Sequence, residues 1–198
     1  MLLNRIEYAL MNNPLRAAIQ RRFEAARLLR LGGPLPGGTA LELGCGRGIG
    51  AELILDLFHA DTVDAFDLDP RMVAHAGARL ARYGARVRLW VGDAAAIAAP
   101  DAAYDAVFDF GIIHHVPTWQ LALTEVTRVL KPGGRFYAEE VLAPFIAHPI
   151  TRRLLDHPRQ NRFDTADFRA ALDAAGLRSL AWEELWHSFA WFVAAKPA

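Results

Sequence analysis

One glycine-rich segment indicates the fold: Ala40-Leu41-Glu42-Leu43-Gly44-Cys45-Gly46-Arg47-Gly48-Ile49-Gly50. A short apolar run, a tight turn and the beginning of a helix follow one another in it. Glycine suits such a turn because the backbone must adopt positive φ values and approach a ligand without a Cβ in the way. The following helix directs its free N–H groups to the same place. The segment therefore predicts a strand, a turn and a helix that together bind a nucleotide-like cofactor.

Glu42 is the only charged residue in the apolar run before the turn. An unpaired carboxylate is costly in a buried strand, so we expect Glu42 to hold a cationic ligand group or backbone donors. A Gly-x-Gly-x-Gly turn alone also occurs in nicotinamide-binding dehydrogenases. With its acid, however, the segment resembles the first motif of the class I S-adenosylmethionine-dependent methyltransferases, which has the form Glu/Asp-x-Gly-x-Gly-x-Gly.

Asp67 ends the second predicted strand, residues 62–68. In a strand-helix-strand unit of this length, an acid at that position lies beside the ribose of a bound nucleoside. The run Ala65-Phe66-Asp67-Leu68-Asp69-Pro70 also resembles the second motif of the same family. Asp69 followed by Pro70 is typical of a helix start, so we expect Asp69 to be structural.

Asp93 follows the third predicted strand, residues 87–91. The resemblance implies that Asp93 accepts the exocyclic amine of adenine, while the backbone N–H of Ala94 meets a ring nitrogen. Parallel sheets bind ligands at the carboxyl ends of their strands, where all three acids are expected. The predicted cofactor-binding residues are Glu42, Gly44, Cys45, Gly46, Gly48, Asp67, Leu68, Asp93, Ala94 and Asp109.

Two adjacent histidines follow the fourth predicted strand, residues 104–110. Histidine titrates near neutral pH, and this loop is expected to lie beside the methyl donor. We expect His114 to face the substrate as a candidate base and His115 to be a structural hydrogen bonder, as is frequent in the family. Some family members hold magnesium with Glu-x-x-Glu-His at this place; this chain has Gly111-x-x-His114-His115, and we expect no metal site.

Glu139 and Glu140 end the fifth predicted strand, residues 135–141, at the same edge of the sheet. One of them faces the substrate, or either pairs with a nearby arginine; the sequence leaves these alternatives open. The candidate catalytic residues are therefore His114, His115 and Glu139.

The turn Val129-Leu130-Lys131-Pro132-Gly133-Gly134-Arg135-Phe136 is typical of the resembled family and unusual in nicotinamide dehydrogenases. The fold class that we predict is α/β, a single-domain seven-stranded, mostly parallel sheet with helices on both faces and an antiparallel last strand. Residues 39–198 form the cofactor-binding domain, and residues 1–38 form a helical cap that belongs to it. We expect Trp182, Trp186 and Trp191 of the last two strands to lie in the core.

The N-terminal helix is predicted to be amphipathic from Leu15 onward. Its apolar arc consists of Leu15, Ala18, Ile19, Phe23, Ala26 and Leu29, and its polar arc of Arg16, Gln20, Glu24 and Arg27. We expect the helix to pack on the sheet or to cap the cofactor. The alternative is an interfacial helix, because six arginines outnumber two glutamates and are suited to anionic lipid. Arginines in residues 142–163 are suited either to an anionic substrate group or to a solvated helix face.

Composition agrees with one globular domain: 198 residues, 53% hydrophobic, 22% charged, and a formal net charge of zero. The neutral charge disfavours nucleic acid as a partner. Cys45 is the single cysteine and is expected to be a small loop residue rather than a nucleophile. With no disulfide, no membrane span and no signal-peptide core expected, the predicted location is cytoplasmic.

The resemblance implies in-line methyl transfer from S-adenosylmethionine, leaving S-adenosylhomocysteine, to a small-molecule acceptor. Three alternatives stay open at this point: an NAD-binding oxidoreductase, a cofactor-binding protein without catalysis, and a lipid-headgroup methyltransferase at the membrane surface. The acceptor and the oligomeric state are not determined by the sequence.

Overall fold

The structure is a computed structural model that describes residues 19–148, 151 and 161–198. The beginning of the predicted cap helix and the arginines at positions 152, 153 and 159 lie outside these residues. Within them, no helix combines the length and apolar character that crossing a membrane requires.

The seven strands form one sheet with the order β3-β2-β1-β4-β5-β7-β6. Strands β1 to β5 are parallel, and β7 is antiparallel to both of its neighbours. The predicted fold class is thereby confirmed. The strands are β1 Thr39–Leu43, β2 Thr62–Asp67, β3 Val87–Val91, β4 Tyr104–Phe110, β5 Leu130–Val141, β6 Arg178–Leu185 and β7 Phe189–Ala195.

Helices cover both faces of the sheet. Three pack on one face, α1 (Ala25–Gly32), α2 (Ile49–Asp56) and α3 (Pro70–Leu80), and α4 (Trp119–Val129) and α6 (Thr165–Ala174) pack on the other. A short helix, α5 (Ala143–Ala147), follows β5. The strand order reverses between β1 and β4, and open parallel sheets bind ligands beyond the carboxyl ends of their strands at such a point. The fold therefore predicts a site at the carboxyl edge.

Aspartate side chains cap two of the helices, and the predicted helix start at Asp69 is one of them. Asp69 caps α3 and accepts a hydrogen bond from the Arg71 N–H at 2.9 Å. Asp164 caps α6 and accepts from the Asp167 N–H at 2.9 Å. Thr118 precedes α4, but its side chain makes no capping hydrogen bond.

The Lys-Pro-Gly-Gly turn lies inside the pairing of β5 rather than before it. Leu130 pairs with Tyr104, whereas Arg135 pairs with Ala106, so residues 131–134 bulge out of the ladder. The Lys131 ammonium contacts the Asp105 carboxylate at 2.9 Å and fastens the bulge to β4. Strand β5 therefore begins five residues earlier than the sequence predicted.

The N-terminal helix presents an unexpected face. Residues Gln20–Glu24 form one π-helical turn, in which the Ala25 N–H bonds to the Gln20 carbonyl. The longer turn rotates the side chains before it relative to those after it. Gln20 and Glu24 of the predicted polar arc are buried, whereas Phe23 of the apolar arc is 59% exposed. The expectation that the apolar arc packs inward throughout is wrong at this turn.

Of the three tryptophans expected in the core, Trp191 alone is buried. Trp182 is 43% exposed because β6 is an edge strand, and the Arg169 guanidinium lies 5.0 Å from its ring centroid. Trp186 is 81% exposed because it lies in the turn between β6 and β7. The prediction was wrong for these two residues.

Gly77 offers a test of the α3 assignment. It lies inside α3, and an added Cβ would meet only a Leu89 methyl at 3.9 Å within the described residues. Gly77→Ala should raise the free energy of unfolding by about 0.5–1 kcal/mol, because Ala loses less backbone entropy in a helix. Urea denaturation measures this change. A lower stability would contradict the assigned helix or its packing.

Candidate active site

A cavity of about 270 Å³ opens at the carboxyl edge, between the loops that follow β1, β2, β3 and β4. It brings together eight of the residues predicted from sequence to bind cofactor: Glu42, Gly44, Cys45, Gly46, Asp67, Leu68, Asp93 and Ala94. Gly48 and Asp109 do not line it.

The glycine turn adopts the backbone that the sequence requires. Gly44, Gly46 and Gly48 have φ values of 63°, 49° and 82°. A Cβ on Gly44 would overlap the Ile112 side chain, whereas one on Gly46 would meet no described atom within 4 Å. Gly46 thus leaves its backbone accessible from the cavity. Gly48, which directly precedes α2, instead allows close packing against Leu80 at the end of α3.

Glu42 is the buried acid of the turn. A Cβ on Gly50 would overlap Glu42 Oε1, so the carboxylate occupies space that only glycine leaves. Burial, followed by the nearby charge of Asp67, raises the pKa of Glu42 well above its ordinary value, although the Ala51 N–H lowers it. Glu42 Oε2 is buried and has no hydrogen-bond partner within the described residues. A cationic group in the cavity would compensate this oxygen.

Asp67 joins the second strand to the glycine turn. Its Oδ2 accepts from the Gly46 N–H at 2.9 Å, and its Oδ1 accepts from the Asp69 N–H at 2.9 Å. Burial raises the pKa of Asp67, and these two donors partly offset the increase. Each carboxylate oxygen retains a second lone pair, so Asp67 is able to accept from ligand hydroxyls as well.

Asp93, Leu68 and Ala94 line the cavity from the loops after β2 and β3. Asp93 is exposed, and its Oδ1 accepts from the Ala95 N–H at 2.9 Å. Ala94 is buried and Leu68 is 45% exposed. This wall is therefore more open than the one that Glu42 forms.

Cys45 lies buried in the turn. Burial, together with the charges of Glu42 and Asp67, raises the pKa of its thiol. A thiol held protonated is a poor nucleophile, so the structure supports its interpretation as a small loop residue.

The two histidines do not have the orientations expected from sequence. His114 Nδ1 lies 2.6 Å from Glu140 Oε2, and both side chains are buried. His115, expected to be structural, lines the cavity, whereas His114 does not. The rings are adjacent, with centroids 4.2 Å apart. Of the two histidines, His115 is the one that faces the cavity.

Glu140 anchors the loop that carries the histidines. Its carboxylate accepts from the Ile113 N–H at 2.8 Å and the His114 N–H at 3.3 Å, in addition to the His114 ring. Asp109 Oδ1 accepts from the Ile112 N–H at 2.8 Å, so two carboxyl groups hold the same loop. Asp109 therefore supports the cavity wall rather than lining it.

Asp109 and Glu140 are fully buried and interact directly. Burial, then the charge of Glu140, raises the pKa of Asp109 well above its ordinary value. Burial also raises the pKa of Glu140, to about 7. Asp109 Oδ2 has no hydrogen-bond partner among the described residues, whereas Glu140 accepts several hydrogen bonds. We infer that, of the two carboxyl groups, Asp109 is the one that carries a proton.

Glu139 does not line the cavity. Successive side chains of a strand point to opposite faces of the sheet, so Glu139 lies on the face opposite Glu140. It is 4% exposed and pairs in register with Phe110 and Trp191.

Sequence reasoning missed several residues that line the cavity, among them Gln20, Met72 and Ile112. The position of Met72 could have been predicted, because the Asp69-Pro70 cap places it in the first turn of α3, directly after β2. The position of Gln20 could not, because the π-helical turn that buries it leaves no pattern in the sequence. No group of three or more His, Cys, Asp or Glu side chains within the described residues is arranged to hold a metal ion.

A family model described as "Methyltransferase domain" matches residues 40–134. The chain is 33% identical over 124 residues to a fatty-acid O-methyltransferase of Mycolicibacterium smegmatis, covering 63% of this chain and 44% of that protein. It is 30% identical over 151 residues to a 2-methyl-6-phytyl-1,4-hydroquinone methyltransferase of Synechocystis, covering 72% and 47%. The chain thus spans less than half the length of either relative.

A solved structure shares the fold. It is the Burkholderia thailandensis 1,6-didemethyltoxoflavin-N1-methyltransferase with bound 1,6-didemethyltoxoflavin and S-adenosylhomocysteine. The TM-score is 0.72 at 20% identity, over 96% of this chain and 84% of that chain.

The carboxyl pair predicts how stability depends on pH. A raised pKa in the folded state means that the folded chain binds the proton more tightly than the unfolded chain. The resulting stabilisation is complete below the ordinary carboxyl pKa of about 4 and is lost as pH rises through the folded-state values. The free energy of unfolding should therefore fall between about pH 5 and pH 8. Asp109→Asn should reduce this slope, since the amide mimics the protonated acid.

Glu140→Gln and Asp61→Asn are the matched comparisons. Glu140→Gln replaces one carboxylate oxygen with an N–H2 group, which would face the backbone N–H groups that Glu140 now accepts from, so this variant should be less stable at pH 7. Asp109→Asn should not be destabilised, because its amide mimics the protonated acid. Asp61 is exposed, and Asp61→Asn should leave the slope unchanged. Urea titrations across the pH range measure all three variants. Equal destabilisation by Asp109→Asn and Glu140→Gln would contradict the proposed proton position.

Proposed function

Because the chain belongs to the class I S-adenosylmethionine-dependent methyltransferases, we propose that it transfers the methyl group of S-adenosylmethionine to a small-molecule acceptor. The observation that carries this proposal is the meeting of Glu42, Asp67 and Asp93, from three successive strands, in one cavity with the glycine turn. An acid-lined cavity is suited to a ligand that carries a sulfonium and an ammonium group.

The residues of the cavity fit the parts of this ligand. The Gly46 backbone and Asp67 are suited to the ribose, and Asp93 with the Ala94 backbone to the adenine. Glu42 Oε2 offers a buried acceptor for positive charge. Leu68 and Met72 offer apolar contacts, while Gly44 and Cys45 shape the turn. In this proposal, Gly48 and Asp109 contribute indirectly, through the start of α2 and through the loop after β4.

When bound, S-adenosylmethionine supplies a methyl group that its sulfonium already activates. The protein must hold the acceptor nucleophile in line with that group and exclude water, and positioning of this kind supplies much of the barrier reduction. If the acceptor must lose a proton, His115 is our candidate base, because it lines the cavity. His114, whose ring contacts Glu140, would instead position the loop that carries His115. Glu139, on the other face of the sheet and outside the cavity lining, is not placed to take that proton.

We further propose an acceptor with an apolar body. The wall between β4 and α4 presents Phe110, Ile112, Val116 and Pro117 to the cavity. The two relatives described above are named for a fatty acid and for a phytyl hydroquinone, which both carry long apolar chains. An apolar wall and such relatives favour a lipid-like small molecule over a nucleic acid.

Asp67→Asn tests the donor site. In Asp67→Asn, the amide N–H2 group would face the N–H of Gly46 or of Asp69, with which it cannot form a hydrogen bond. The amide also lacks the negative charge that strengthens hydrogen bonds from ligand hydroxyls. Hydrogen bonds to charged groups contribute about 1.5–3 kcal/mol, so S-adenosylhomocysteine affinity should fall roughly ten- to hundredfold. Calorimetric titration measures the affinity. Asp61→Asn, outside the cavity, should bind like the wild type, and an unchanged affinity for Asp67→Asn would contradict the assignment.

The acceptor class is tested by turnover. The chain is incubated with methyl-labelled S-adenosylmethionine and a fatty acid, an alkyl hydroquinone or a short polar amine, and formation of S-adenosylhomocysteine is measured. We expect turnover with one of the two apolar acceptors and none with the polar amine. Turnover with the amine alone would refute the apolar acceptor while leaving methyl transfer intact.

A further inference from the structure

Exposed large hydrophobic side chains are concentrated along the carboxyl edge of the sheet, the edge at which the cavity opens. Eight such side chains are exposed within the described residues, and six lie at the carboxyl edge of the sheet. These six, the apolar rim, are Ile19, Phe23, Leu68, Val91, Leu121 and Trp186. The other two, Leu180 and Trp182, lie farther back along β6.

Trp186 is placed at the rim by the last hairpin. Strand β7 begins opposite Val141, the end of β5, and the Leu142 N–H donates to the Ser188 carbonyl at 2.8 Å. The turn between β6 and β7 therefore projects from the carboxyl edge. Trp186 and His187 have φ values of 53° and 52°, a conformation that favours Asn or Gly. The chain thus holds a large apolar ring in solvent at a strained position, a combination that points to function.

Phe23 reaches the rim because of the direction of α1. The helix ends at Gly32, whose carbonyl accepts from the Tyr137 hydroxyl at 3.0 Å and from the Arg135 guanidinium at 2.6 Å. Nearer the carboxyl edge, the Arg27 guanidinium lies 4.3 Å from the Trp191 ring centroid. The π-helical turn before it contributes Gln20 to the cavity and directs Phe23 outward.

The rim is wide and nearly spans the sheet. Val91 ends β3 at one side, and Trp186 lies in the hairpin of β6 and β7 at the other. With strands about 4.8 Å apart, six spacings give roughly 29 Å. A single small ligand does not reach across this distance, whereas a flat surface does. Arg21 and Arg22, both exposed, directly precede Phe23 in the chain and would meet negative charge on that surface.

We propose that the apolar rim docks on a lipid surface that carries anionic headgroups. Tryptophan is suited to such an interface because its ring is apolar and its N–H is polar. Arginine beside it is attracted to anionic lipid. Docking would set the cavity mouth against the bilayer, so that an apolar acceptor enters without crossing water. The docking proposal is argued from the exposed residues of the apolar rim alone. Only the suggestion that docking delivers an apolar acceptor rests on the proposed function.

Vesicle cosedimentation of the full chain tests the proposal. Vesicles of phosphatidylcholine alone are compared with vesicles that also contain phosphatidylglycerol. We expect binding to the mixed vesicles, and Trp186→Ser should reduce the partition coefficient roughly tenfold, because a large apolar side chain no longer inserts. Phe23→Ser gives a second, independent measure. Arg21→Gln with Arg22→Gln should abolish the preference for anionic vesicles.

Trp182→Ser is the matched control. Trp182 is also exposed, but it lies away from the rim, so its replacement should leave vesicle binding unchanged. S-adenosylhomocysteine affinity is measured in the same samples and should be unaffected in all variants, since none of the replaced residues lines the cavity. If the wild-type chain did not bind S-adenosylhomocysteine, the proposed function would be refuted, independently of the result with vesicles.

Two results would overturn the docking proposal: absence of binding to both vesicle types, and equal loss of binding with Trp182→Ser and Trp186→Ser. In the first case, light scattering is used to look for a concentration-dependent dimer that Trp186→Ser abolishes. The rim would then be an interface between two copies of the chain.

Discussion

The site depends on one steric constraint, the placement of the Glu42 carboxylate over Gly50. Any side chain at position 50 would overlap Glu42 Oε1, so the beginning of α2 and the buried acid fit together only with glycine. Burial and the neighbouring Asp67 make this carboxylate costly to ionise, which raises its pKa. A cationic ligand relieves that cost. The constraint thus links the glycine turn, the charge of the cavity and the class of ligand.

Buried carboxyl groups also shape the loop after β4, which carries the two histidines. Asp109 and Glu140 are buried carboxyl groups that hold backbone N–H groups of the loop, and Glu140 also holds the His114 ring. This arrangement turns His115 toward the cavity. The apolar rim lies along the same edge of the sheet as the cavity mouth. A cavity that combines buried acids with an apolar wall, and that opens at an apolar edge, is suited to an amphiphilic acceptor.

The sequence predicted the strands and most of the cavity because local patterns determine them. Each of Glu42, Asp67 and Asp93 lies within two residues of the end of an apolar run, so the run indicates the strand and the acid indicates its carboxyl end. It did not predict which histidine faces the cavity, because that depends on Glu140, which lies 26 residues after His114. Nor did it predict the outward turn of Phe23, since a π-helical turn leaves no periodic signal. Trp186 was misplaced because hydrophobicity alone does not reveal a hairpin tip.

The central claim is that the cavity at the carboxyl edge binds S-adenosylmethionine rather than a nicotinamide dinucleotide. Calorimetric titration of the wild-type chain with S-adenosylhomocysteine, and with NADH in a parallel experiment, tests it most directly, because the methylation product binds without turnover. We expect saturable binding of S-adenosylhomocysteine and no heat of binding with NADH. Binding of NADH alone would contradict it and would assign the glycine turn to a different cofactor.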